Sequence, residues 1–209
     1  MRVDVYHDTV CPWCRIGKAH MKQALDQWTG EPVEVYYHAF YLNPNIPLEG
    51  YNFQEYMTAK NGGRVLPQEW FNRPREMGTQ VGLRFNFERI EYMPNTTLSH
   101  QLIAVTPSER CDTMIDAIYD AYFEHGRNIG NLDVLVDIAD VQGLDTHKIR
   151  KALEGNTKLA AIQSDMDTVM QIGVTGVPFF VFNQRFAFSG AQPVSAFLQV
   201  MTQLTTKPK

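Results

Sequence analysis

The run "DTVCPWCRIG" at residues 8–17 constrains this chain more than any other stretch. Two of its three cysteines stand three positions apart around a proline and a tryptophan, just after a run in which Val3 and Val5 alternate with polar neighbours. Such alternation belongs to a strand with one buried face. Met21, Ala24, Leu25 and Trp28 then recur at helical spacing, which predicts a helix that starts at or just after Cys11 and ends near Gly30. "VEVYYHAF" at 33–40 reads as a second strand. Strand, helix and strand in close succession make a βαβ unit, with parallel strands and a right-handed crossover.

From "LNPNIP" onward strand signals vanish, and capped segments of helical period follow one another to about residue 173. Ile115, Ile118, Tyr119 and Tyr122 share one face. Asn131 suits a cap for a segment carrying Leu132, Leu135, Val136 and Ala139, stopped by Gly143, and Asp145 opens the next. The last segment carries Leu159, Ile162, Met166, Val169 and Met170 on its apolar face and ends in "IGVTGVP". Strand signals return in "PFFVFNQRFAFSG", which reads as a β-hairpin about a two-residue Asn183-Gln184 turn. Pro193 suits the first position of a closing helix whose apolar face is Ala196, Phe197, Val200, Met201 and Leu204.

The expected class is therefore α/β: a thioredoxin fold, βαβ…ββα, with a large all-helical insertion between the second and third strands. The pattern assigns 1–45 and 157–205 to the thioredoxin-like domain, 46–156 to the insertion and 206–209 to a loose tail.

Two thiols two residues apart admit three readings: a redox dithiol, half of a zinc site, or a pair of small buried hydrophobes. A tetrahedral zinc site needs more ligands, yet there is no second CxxC and Cys111 lies far downstream in a helical segment. A strand followed by CxxC at the opening of a helix within a βαβ context favours the redox reading. Unpaired backbone N–H groups and the positive end of the helix dipole stabilise a thiolate at the first turn, which makes Cys11 the candidate nucleophile. Pro12 lacks an N–H and so costs nothing at the first helical position. Cys14, one turn along, is the candidate resolving thiol that attacks a mixed disulfide. Trp13 is expected to form an apolar lip for an extended substrate, although plain surface packing also accounts for an aromatic there. In "GVTGVPFF", Val177-Pro178 would enter the third strand beside the thiols, where the bond could be cis and the Val177 main chain could pair with a substrate by strand addition.

Composition serves mainly to exclude. Nineteen basic against twenty-three acidic residues give a net charge of −4 with no basic run, so nucleic acid is not an expected partner. No run of eighteen apolar residues occurs, so no membrane span is expected. Asp4, His7 and Asp8 interrupt the N-terminal stretch that a secretory signal would need, and the cytoplasm is the expected location.

Taken together, the strand-CPWC-helix start, "YHAFYLNPNIP", "MPNTTLSHQL", "AYFEHGRNIGN", "GVTGVPFF" and "FSGAQP" resemble the DsbA-like thioredoxin-fold oxidoreductases, specifically their cytoplasmic FrnE-type branch, over nearly the whole chain. The resemblance implies a nucleophilic Cys11, a resolving Cys14 and a cis-proline at Pro178. It implies protein or small-molecule thiol and disulfide substrates, no metal and no bound organic cofactor, with glutathione as a possible redox co-substrate at Val177. Some members of that branch carry a second cysteine pair near the C-terminus; this chain has no cysteine after Cys111. Two alternatives stand beside it. One is a glutathione-dependent transferase or isomerase of the 2-hydroxychromene-2-carboxylate isomerase type, which resembles this architecture but has a serine or similar residue in place of Cys11. The other is a holdase-like module whose helical block binds unfolded chains.

His100 and Asn95, in "PNTTLSHQL", are candidate neighbours of the thiols, with a buried core histidine and a helix start as their bland readings. His7 and His38 close the two strands and could tune Cys11. Arg73, Arg75 and Arg84 read as solvated helix surface.

Overall fold

The structure is a computed structural model that describes residues 1–64 and 69–205; the tail assigned to 206–209 lies outside the described residues. In chain order the elements are β1 (Arg2–His7), α1 (Pro12–Gln27), β2 (Glu34–Ala39), β3 (Tyr51–Asn52), α2 (Phe53–Lys60), α3 (Glu69–Gln80), a 3₁₀ turn at Phe87–Arg89 and β4 (Tyr92–Met93). They continue with α4 (Thr97–Val105), α5 (Ser108–Phe123), α6 (Leu132–Val141), α7 (Thr146–Glu154), α8 (Leu159–Gln171), β5 (Phe179–Phe182), β6 (Phe186–Ser189) and α9 (Val194–Thr205). The chain divides into two compact units, Met1–Leu42 with the segment from Asp165 onward, and Asn43–Ser164.

The first unit is built on a four-stranded sheet in the order β2-β1-β5-β6. β1 runs parallel to β2, with Val5 opposite Tyr37, and antiparallel to β5, with Val5 opposite Phe180. Because side chains alternate along a strand, the sheet has two distinct apolar faces. Val3 and Val5 of β1 and Phe180 and Phe182 of β5 join Met21 and Ala24 of α1 and Phe197, Val200 and Met201 of α9 in one core. Tyr6 and Phe179, on the opposite face, belong to a second cluster with Phe40, Val169, Val174, Val177 and Val181. Each fully buried large apolar side chain contributes about 1.5–3 kcal/mol relative to exposure, so the two clusters hold the CPWC helix and the segment before β5 to the same sheet.

Two details at the end of this unit differ from the sequence expectation. Asn183 and Gln184 take positive φ of 47° and 55°, and the Arg185 N–H donates to the Phe182 carbonyl at 2.9 Å, a mirror-image turn that matches strand twist. The ladder, however, pairs Phe182 with Phe186, so three residues rather than two lie outside it. Pro193 precedes α9 as its cap, its carbonyl accepting the Ala196 N–H at 2.9 Å, instead of occupying the first helical position.

Among its described residues the second unit is mainly helical, with one ribbon, β3 with β4, which pairs Tyr51 with Met93 and Asn52 with Tyr92. Two residues per strand are too few to produce a readable alternation, which is why the sequence shows no strand there. Ile115, Ile118, Tyr119 and Tyr122 of α5 are all buried, as their spacing requires. Asn131 caps α6 by accepting the Asp133 and Val134 N–H groups, and Asp145 caps α7 through Lys148 N–H. Gly143, at φ 70°, ends α6 with a paired closure in which Gly143 N–H donates to Asp140 and Leu144 N–H to Ala139.

On α8 the apolar stripe is narrower than expected. Val169 is buried while Met170 is 65% exposed, because adjacent residues point about 100° apart on a helix and only one can face the sheet. Arg75 is not plain solvated surface either. Its guanidinium donates to Phe85 O at 3.2 Å and Glu88 at 2.7 Å and lies over the Phe87 ring. Arg84 is exposed in a connection, not on a helix, and Arg73 is exposed on α3.

Candidate active site

The central strand β1 delivers the chain to the site, and every residue from Asp8 to Cys11 is buried. The Cys11 N–H donates to the Asp8 carbonyl at 3.1 Å, turning the chain so that Cys11 becomes the cap residue of α1 with extended backbone and Pro12 its first helical residue. The Cys11 carbonyl accepts N–H groups from Cys14 at 3.1 Å and Arg15 at 3.3 Å. No side-chain oxygen caps this helix, and no acidic residue stands in its first turn. The positive end of α1 is thus left to the Cys11 sulfur.

Both sulfurs belong to closely packed residues, Cys11 3% and Cys14 2% exposed, and both are thiols in this structure. The Cys11 thiol points at the Val177 carbonyl, 3.7 Å from sulfur to oxygen and 166 residues away in sequence. Burial first, then the hydrogen bond and charge of neighbouring Cys11, push the Cys14 thiol well above its ordinary range, partly offset by a backbone hydrogen bond from Asp8. Deprotonation of Cys14 is thus opposed by its own surroundings. The Val177–Pro178 peptide is cis.

Gly17, one turn beyond Cys14, lets α1 approach this segment. A Cβ there would meet Pro178 Cγ at 2.9 Å, Phe180 Cζ at 3.2 Å and Ala191 Cα at 3.5 Å. A glycine inside a helix signals nothing by itself in a sequence, so its role emerges only from this contact. Asp8 is also outside the sequence-derived site; its carboxylate accepts the Leu42 N–H at 2.8 Å and fastens the end of β2 beside the CPWC turn.

Pro12 and Trp13 are half-buried on the first turn of α1. Asn95 and His100 belong to the second unit. There Asn95 donates to the Ile46 carbonyl at 2.6 Å and accepts the Thr97 N–H at 2.9 Å, which fits the helix-start reading. His100 is buried on α4, its backbone N–H donating to the Thr96 carbonyl. His7 meets the Tyr37 ring edge-on at 5.6 Å. Both ring nitrogens of His38 face carboxylates, Nε2 at 2.8 Å from Asp4 and Nδ1 at 2.8 Å from Asp165. Among the described residues no group of three or more His, Cys, Asp or Glu side chains is placed to hold a metal ion. Among them, too, no helix is long and apolar enough to cross a membrane.

The chain belongs to the DSBA-like thioredoxin domain family, which matches residues 2–202. It is 27% identical over 190 residues to the uncharacterized protein YwbO of Bacillus subtilis strain 168, covering 87% of this chain and 86% of YwbO. The structure superposes on that of a probable DsbA oxidoreductase from Streptomyces coelicolor with a TM-score of 0.89 at 29% identity, covering 100% and 92% of the two chains. It shares its fold with the cytosolic disulfide reductase DsbM of Pseudomonas aeruginosa, solved with GSH, at a TM-score of 0.68 and 19% identity over 98% and 99% of the chains. A 2-hydroxychromene-2-carboxylate isomerase has the same fold, at 0.69 and 13% over 98% and 96%.

Proposed function

We propose that this protein is a thiol-disulfide oxidoreductase that works through Cys11 and Cys14, of the FrnE-type branch and acting in the cytoplasm. The observation that carries the reading is a cysteine at an uncapped helix start, with a second cysteine one turn on whose surroundings oppose its deprotonation and an accepting main chain at Val177 opposite.

In the reducing direction the Cys11 thiolate attacks one sulfur of a substrate disulfide, forming a mixed disulfide and releasing the other sulfur as a thiolate. Cys14 then gives up its proton and attacks the Cys11 sulfur. The Cys11–Cys14 disulfide forms, the second substrate thiolate leaves, and two electrons have passed to the substrate. Two molecules of a small thiol such as glutathione return them, ending as the oxidised dimer. The main chain at Val177 is suited to align an extended substrate by strand addition, with Pro178 removing a competing N–H and Pro12 and Trp13 bordering the thiols. The dithiol favours exchange over the isomerase alternative, whose members do not need a resolving thiol, and over a holdase, which needs neither.

Reduction of insulin with glutathione or dithiothreitol tests it on wild type, Cys11→Ser and Cys14→Ser. Loss of turnover in Cys11→Ser and accumulation of a mixed disulfide in Cys14→Ser are expected. Equal rates in all three would remove the assignment.

A further inference from the structure

We propose that His38, held as an imidazolium between Asp4 and Asp165, is a positioning residue for the main chain of Val177; the substrate-related part of this inference rests on the exchange function proposed above.

A neutral imidazole carries one N–H and can donate one hydrogen bond, whereas ionised carboxylates only accept. Here Nε2 lies 2.8 Å from Asp4 Oδ1 and Nδ1 2.8 Å from Asp165 Oδ1, so both contacts are hydrogen bonds when the ring is a cation. The carboxylates are committed further. Asp4 accepts from Arg2 through Nε at 2.9 Å and Nη2 at 2.6 Å, and Asp165 Oδ2 accepts the Ala39 N–H at 3.0 Å. The Tyr6 ring stacks on the imidazole with centroids 4.8 Å apart. The titratable groups that meet the ring are Asp4 and Tyr6 on β1 and Asp165 on α8; Arg2, bound to Asp4, lies over the Tyr36 ring of β2, whose hydroxyl donates to Glu34.

The clamp joins β1, β2 and α8, and α8 leads to the site. One turn beyond Asp165, Val169 packs with Tyr6 and Phe40, and Val174 N–H closes back on Val169 O at 3.1 Å. Val174 and Val177 pack on that same cluster, and Val177 O is the group that faces the Cys11 sulfur. Asp165 and Val169 therefore set the line along which residues 174–177 reach the thiols.

Losing the proton on His38 removes one of the two hydrogen bonds and leaves two carboxylates across a ring that can satisfy only one. Burial opposes the charge, but the bonds to Asp165 and Asp4 outweigh it and hold the imidazole above its ordinary value. The sign follows from a raised folded-state value: the clamp is complete below about pH 6.5, the unfolded value, and is lost as pH rises through the folded one. In Asp165→Asn the new amide donates to a neutral Nδ1 while its oxygen keeps the Ala39 N–H. That variant retains the bridge without the ring's charge.

The test follows the His38 ring and the Val174 and Val177 amides by NMR as pH rises, in wild type and Asp165→Asn, beside steady-state kinetics on insulin and on the small disulfide 5,5′-dithiobis(2-nitrobenzoate). In wild type the Val177 amide is expected to shift in step with the His38 ring. The KM for insulin is expected to rise by about tenfold, the loss of one charge-assisted hydrogen bond, with little change in KM for the small disulfide. Asp165→Asn should hold both the amide and the insulin KM level across the same range. A Val177 amide that ignores the His38 titration overturns the proposal whether or not the protein turns over. Parallel changes in KM for both substrates also overturn it. A Val177 amide that follows His38 in a protein inert toward both disulfides supports the positioning role and removes the exchange function instead.

Discussion

α6 and α1 begin in opposite ways. Asn131 folds its side-chain oxygen back onto two amides of α6, while α1 opens on a cysteine that makes no such bond and has no acidic residue in its first turn. A capped start satisfies the helix; an uncapped one keeps its amides available to whatever anion sits there. Elsewhere α2 and α7 follow the α6 pattern, through Asn52 and Asp145, whereas α4 and α5 open on Thr96 and Pro107 with no bond from the cap side chain. Lack of a cap therefore does not single out α1; what sets it apart from α6 is a sulfur at the cap position, where Asn131 places an oxygen.

Four experiments strain this contrast, from the largest effect to the smallest. Cys11→Ser is expected to reduce insulin turnover to background without loss of fold, checked by the turbidity of released chains beside a circular dichroism melt. Gly17→Ala acts on the partner side of the site. A methyl pressed to 2.9 Å from Pro178 should cost about 1–3 kcal/mol by overpacking, against at most about 1 kcal/mol gained in helix propensity. Urea unfolding reads the net loss, and a slower exchange rate should accompany it because the displaced atoms belong to residue 178. Asn131→Ala should cost about 1 kcal/mol in the same unfolding experiment and leave exchange unchanged, since it removes a cap remote from the thiols in function. Smallest is the second effect of Cys11→Ser. A serine hydroxyl can accept the amides that sulfur leaves open, so the inactive variant should be more stable than wild type by about 0.5–1 kcal/mol. A Cys11→Ser protein less stable than wild type would break the contrast drawn here.

What could be read from the chain was whatever depends on neighbours in sequence. Periodicity placed Met21, Ala24, Ile115, Ile118, Phe197 and Val200 in cores, and cap chemistry placed Asn131, Gly143 and Asp145 at helix ends, because each signal spans a few residues. The family, and with it the fold, was legible in the same way, through short runs such as CPWC and GVPFF. What could not be read depends on distance in sequence. Gly17 matters because Pro178 happens to lie against it, and His38 because Asp4 and Asp165 converge on it from another strand and a helix 127 residues on. Met170 departs from its periodicity for a subtler reason. Both it and Val169 are apolar, and periodicity alone does not say where a stripe ends when the surface it packs on is a sheet face assembled from the two ends of the chain.

That assembly bears on how the protein is made. Cys11 and the carbonyl it faces are 166 residues apart, and at a synthesis rate of roughly 5–20 residues per second the ribosome needs on the order of ten to thirty seconds to supply the second after the first. Throughout that interval the nascent chain carries both sulfurs with β2 but without β5, the second of the two strands that pair with β1. Until β5 arrives, the Cys11 thiol lacks the main-chain carbonyl that accepts from it in the folded protein.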